Sequence, residues 1–146
     1  MSLVDQISAM YDADQFARLA GKDLGPLDET HGLRIRAIKQ DLGGWPDDRH
    51  LDAEGLRKFA LLVVHQTLQP EMQKDFAPHL KGLCKRQLVP WQYYAVIKDK
   101  IRIAAHRPQI YGTQLNDSPV QRLETVDKRR TLFGLQTLEA YRARNL

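Results

Sequence analysis

Along the first twenty residues Ile7, Met10, Tyr11, Asp14 and Arg18 recur at spacings of three and four. This predicts a helix over 3–20 whose inward stripe begins apolar and ends charged. Residues 21–32, GKDLGPLDETHG, hold three glycines and a proline and read as a loop. A second helix over 33–42 carries Leu33, Ala37, Ile38 and Leu42 on one face and stops at GGWPDD, where Trp45, held extended before Pro46, fits a core plug. Asp52 is a natural N-cap for AEGLRKFALLVVHQ, whose second half is apolar around most of its circumference, as a central helix requires. His65 closes that run, three and four residues after Leu62 and Leu61, so its imidazole should be partly buried, as a core residue or as part of a site.

Residues 70–88 continue as helix, with Met72, Phe76, Leu80, Leu83 and Cys84 inward and Pro78 kinking or splitting it; 91–99 form a shorter helix after Pro90. The period then changes. Ile101 and Ile103 alternate, and KIRIAA, HRP and QIYGTQ read as strand, tight turn and strand. On that second strand Gln109, Tyr111 and Thr113 would line one face, with Gly112 admitting a close approach. After the LNDSP turn, VQRLETV is a candidate third strand, and two short helical pieces separated by Gly134 close the chain. The expected fold class is α+β: one mainly α-helical domain over 1–146, with a small antiparallel hairpin or three-stranded sheet near residues 100–124.

Composition narrows the function classes. With 146 residues, 42% hydrophobic and 27% charged, the chain matches an ordinary globular domain large enough for one core. The net charge of +4 raises a nucleic-acid partner, but Lys and Arg are dispersed among acids, as in RIRAIKQD and VDKRR, so a mixed-charge surface is expected instead. The acidic N-terminal segment lacks a leader pattern, and the longest apolar run, FALLVV, is far below the ~20 residues a bilayer demands. A soluble, cytoplasmic protein without membrane contact is the expectation.

A lone cysteine, Cys84, precludes an intrachain disulfide and fits a small buried hydrophobe, although basic Lys85 and Arg86 follow it. The five histidines show no helical ligand spacing, and no phosphate-binding Gly-rich loop, His-Glu-x-x-His zinc motif or G-x-S-x-G elbow is present. No metal and no cofactor is therefore expected.

DQFAR at 14–18, GWP at 44–46, LLVVHQ at 61–66, KDK at 98–100, RPQIYGTQ at 107–114 and VDKRR followed by Gly134-Leu135 resemble, in order and spacing, a widespread family of small bacterial domains of unknown function. The resemblance covers nearly the whole chain and implies recurring polar positions at Asp14, Gln15, Arg18, His65, Asp99, Gln109, Tyr111, Thr113, Gln114, Asp127 and Arg130. This chain departs from the pattern at Val64, Thr67, Gln69 and Lys100, which removes carboxylates beside the histidine.

Two functional readings follow. In the first, these residues converge on a site for a small polar or anionic molecule. His65 acts as general acid or base, Asp14 or Asp99 orients it, and Arg18 or Arg130 anchors the ligand, which Gln15, Gln109, Tyr111, Thr113 and Gln114 read. In the second, the chain is an interaction module for a protein partner, of accessory or immunity type, and the same residues form a structural network.

Overall fold

The structure, a computed structural model, describes residues 1–115 and 118–144. The chain forms two compact units, Met1–Val89 and Pro90–Leu146. In the first unit lie α1 (Leu3–Leu19), α2 (Gly25–Leu42), α3 (Ala53–Val64) and α4 (Pro70–Lys85). The second holds α5 (Trp91–Ala104), a 3-10 turn (Leu123–Thr125), α6 (Val126–Leu132) and α7 (Leu138–Arg144).

The apolar run of α3 packs on α1, α2 and α4 together, so the central-helix expectation holds within the first unit. Asp52 caps α3 as expected, its carboxylate accepting from the Gly55 amide at 2.8 Å. Ile7, Met10, Asp14 and Ala17 form the buried stripe of α1, and Phe59, Phe76 and Trp45 pack edge-on or tilted with centroids 5.0–6.1 Å apart. Cys84 is buried, and Pro78 sits on the exposed side of an α4 that runs through it.

Two local readings need correction. The stretch 21–32 is loop only to Leu24; from Gly25 it is the first half of α2, with Pro26 in the opening turn. There a missing N–H loses nothing, because the first-turn donors have no intrahelical acceptor. Read as helix, Asp28, His31, Ile35 and Ile38 fall three, four and three residues apart on one inward stripe.

The larger correction is the sheet. Among the described residues there are seven α-helices and no strand, so the α+β class with its hairpin near 100–124 does not hold; one isolated parallel bridge, Gln109 to Val120, is all that remains of it. Helix α5 continues through Ile101 and Ile103 to Ala104, because Ile97 and Ile101 also stand four apart and two alanines follow. His106, in the left-handed region at φ 57°, then ends the helix: its amide reaches Ile103 O and that of Arg107 reaches Arg102 O. Residues 120–125 turn through Arg122, also left-handed, into the 3-10 turn, not into a third strand. Residues 116 and 117 of the LNDSP turn, and the last two residues of the chain, lie outside the described residues.

In the second unit the Trp91 and Phe133 rings stack in parallel at 4.8 Å, Tyr94 and Tyr111 pack on Phe133, and Ala95, Ile97, Val126 and Leu138 are buried.

Candidate functional site

Asp14 occupies a core position of α1 and is fully buried. A carboxylate there needs compensating donors. Three are supplied: Gln15 Nε2 at 3.1 Å, Arg18 Nε at 3.0 Å and His65 Nδ1 at 2.8 Å. Arg18 is one turn further along α1, and His65 is the C-cap of α3, where the chain leaves the helix and the ring can turn toward α1. Burial works against the Asp14 carboxylate, but the His65 hydrogen bond and the charge and hydrogen bond of Arg18 together outweigh it and hold the group below its ordinary value.

An ionised Asp14 accepts only, so Nδ1 of His65 carries the hydrogen and Nε2 carries the lone pair. Nε2 has no hydrogen-bond partner among the described residues, and the side chain is 16% exposed. Asp14 thus fixes the tautomer of the ring, which leaves Nε2 as its free acceptor.

Three further polar groups of this unit lie in stretches that were read as loop or helix end. Asp28, in the first turn of α2, stands 3.6 Å from Arg18 Nη2, too far for a hydrogen bond, and its Oδ1 is buried without a partner. Burial pushes its carboxyl up. His31, 5% exposed on the same stripe, has a buried Nδ1 without a partner, and burial pulls it below the ordinary histidine value. Gln66 follows His65 and is 2% exposed. Its Oε1 accepts from Gln69 Nε2 at 3.2 Å, while Gln69 Oε1 accepts from Arg36.

Asp28, Gln66 and Gln69 open onto a cavity of about 470 Å³, together with Gly25, Pro26, Glu29 and Leu68. Gly32 lets the two amides cross α2: a Cβ there would lie 2.2 Å from Gln69 Nε2 and 2.7 Å from Gln66 Oε1. The signal for Asp28 and His31 was present in the sequence as the three-four-three stripe, hidden by reading Gly25-Pro26 as loop. For Gln66 and Gln69 no pattern in the sequence points to the cavity.

The second unit gathers the other predicted residues around the 109–114 loop, and there they serve the backbone. Fully buried Asp99 accepts from the amides of Ile110 (2.7 Å), Tyr111 (3.0 Å) and Thr113 (2.8 Å) and from Thr113 Oγ1 (2.8 Å). Gln109, expected on a strand face, instead folds its amide over the loop, accepting from Gln114 N and donating to Gln114 O and Ser118 O.

Loop carbonyls are met just as fully: Arg129 donates to Ile110 O, Arg130 to Tyr111 O, and Tyr141 to Thr113 O. The polar chain Gln114 Nε2 to Thr113 Oγ1 ends on the same Asp99. Gly112 is left-handed at φ 68°, with Leu138 Cδ1 2.8 Å from where a Cβ would stand, so both conformation and space select glycine. Buried Arg130 also donates to Gln136 O, and Asp127 accepts from the Leu138 amide at the start of α7. Burial, with Tyr94 and Asp99 nearby, pushes the Tyr111 phenol up to about 12, which keeps it protonated near neutral pH.

Asp14, Gln15, Arg18 and His65 thus meet in the first unit, and Asp99, Gln109, Tyr111, Thr113, Gln114 and Arg130 in the second. No group of three His, Cys, Asp or Glu side chains among the described residues is placed to hold a metal ion, and no described helix is long and apolar enough to cross a membrane. No protein-family model matches the chain, and no curated protein or solved structure matches it either.

Proposed function

We propose that the first unit binds a small polar molecule in the cavity lined by Asp28, Gln66 and Gln69, which is joined to the Asp14 and His65 pair through the Arg18–Asp28 ion pair and through Gln66, the chain neighbour of His65. The observation that carries this reading is a cavity lined by Asp28, whose Oδ1 accepts no hydrogen bond, and by Gln66, which follows a histidine held at Nδ1 by the buried Asp14 carboxylate. The converse holds for the second unit, where Asp99, Gln109, Thr113 and Arg130 spend their polar atoms on one loop; this supports a scaffold role for them.

Gly32→Ala and His65→Asn test the proposal. A methyl at Gly32 displaces the ends of two flexible glutamines, and Ala for Gly in a helix favours folding by up to about 1 kcal/mol, so the variant should stay folded with its cavity altered. In a ligand-observed NMR screen of small polar metabolites, compounds should bind the wild type and lose at least tenfold in affinity for Gly32→Ala. With His65→Asn the melting temperature should change little, because Arg18 and Gln15 still hold Asp14, and the same compounds should bind more weakly through the neighbouring Gln66. A wild type that binds no compound, or one whose ligands bind both variants unchanged, overturns the reading.

A further inference from the structure

The chemistry of the cavity lining defines what it accepts, given the binding reading above. Among its lining residues Asp28 and Glu29 carry carboxylates, and none is Lys, Arg or His. The cations nearby are shared out: Arg18 gives Nε to Asp14 and stands 3.6 Å from Asp28, so one guanidinium serves two carboxylates, and Arg36 is bound to Gln69. With Glu29 also in the lining the carboxylates outnumber the cations, and Asp28 Oδ1 has no hydrogen-bond partner.

Gln66 adds a second and independent feature. Arg36 can only donate, so it turns Gln69 Oε1 toward itself, which points Gln69 Nε2 at Gln66 and leaves Gln66 accepting through Oε1. Gln66 Nε2 is thereby fixed as a donor with no partner among the described residues, on a side chain that lines the cavity and is 2% exposed. The lining therefore offers a carboxylate whose Oδ1 accepts no hydrogen bond beside an amide N–H that is not used by the described residues.

We propose that the cavity takes a small primary amine that also bears a neutral hydrogen-bond acceptor, its ammonium meeting Asp28 and Glu29 and its acceptor meeting Gln66 Nε2. This narrows the small polar or anionic molecule expected from the sequence to a cationic one, because the lining itself carries two carboxylates and no cation. Burial that pushes the Asp28 carboxyl up reflects an oxygen lacking compensation, and a ligand ammonium supplies it.

Three probes of nearly equal size separate the possibilities: glycinamide, a cation at pH 6.5; propionamide, neutral; and malonamate, an anion. Each is titrated into the full chain while the Gln66 side-chain amide and the Asp28 backbone amide are followed by NMR. Glycinamide should shift both signals saturably, at least tenfold more tightly than propionamide, and Asp28→Asn should remove that preference. Propionamide or malonamate binding as tightly as glycinamide overturns the amine assignment and leaves the cavity as a binding site. If none of the three perturbs Gln66, the amine assignment falls, and the metabolite screen decides separately whether the site reading falls with it.

Discussion

Asp99 and Asp14 are both carboxylates with no exposed surface, yet their surroundings lead to different chemistry. Every acceptor site used on Asp99 points at one loop, so the residue behaves as a spool on which residues 110–113 are wound. In Asp99→Asn one oxygen becomes an NH₂ group facing N–H and O–H donors, and at least two donors lose their acceptor. The expected loss is about 2–4 kcal/mol, read as a lower urea midpoint with unchanged slope. Asp14 instead accepts from Gln15, Arg18 and a histidine with one open nitrogen. The identities of both carboxylates were legible in the sequence, but their difference lay in the partners, which are 51 residues away for His65 and 11 to 14 away for the loop amides.

At the scale of elements, helix termini and glycines explain most departures from the periodic reading. Gly82 lies within α4, and a Cβ there would meet nothing within 4 Å, whereas Gly43 is the left-handed C-cap of α2 at φ 73°. Gly82→Ala should raise stability by about 0.5–1 kcal/mol through helix propensity, and Gly43→Ala should lower it by about 1 kcal/mol through left-handed strain. Chemical denaturation of the two variants side by side checks the pair of signs. The same logic explains α5. Alternating isoleucines suggest a strand only if the window stops at Ile103; extended back to Ile97 the spacing is helical, and non-glycine residues His106 and Arg122 enter left-handed geometry without a glycine to mark either turn.

For the whole molecule the clearest solution signature is the pH dependence of stability. His31 is buried and its value lies below the ordinary 6.5, so the unfolded chain binds a proton there over a window in which the folded chain does not. Stability from this residue is therefore complete above about pH 6.5 and is lost as pH falls through the folded value, with a slope of at most about 1.4 kcal/mol per pH unit. His31→Gln should flatten the rise of the urea midpoint between pH 5 and 6.5 relative to the wild type, and an unchanged slope would contradict it. Far-UV circular dichroism should show a predominantly helical spectrum, as the seven helices among the described residues require.

By itself the sequence determined the apolar stripe of α1, the buried α3 with its Asp52 cap, the inward face of α4, and the residue types that carry the polar chemistry. These follow from local periodicity and capping, which act within a few residues. Only the tertiary structure decided that QIYGTQ is a loop wound on Asp99, that α2 begins at Gly25, and that Asp28, Gln66 and an Arg36-set amide border one cavity. A loop held by side chains, unlike a strand or helix, has no repeating hydrogen-bond pattern and so no periodic trace. Its conformation is fixed by donors and acceptors brought from distant positions once the helices have packed.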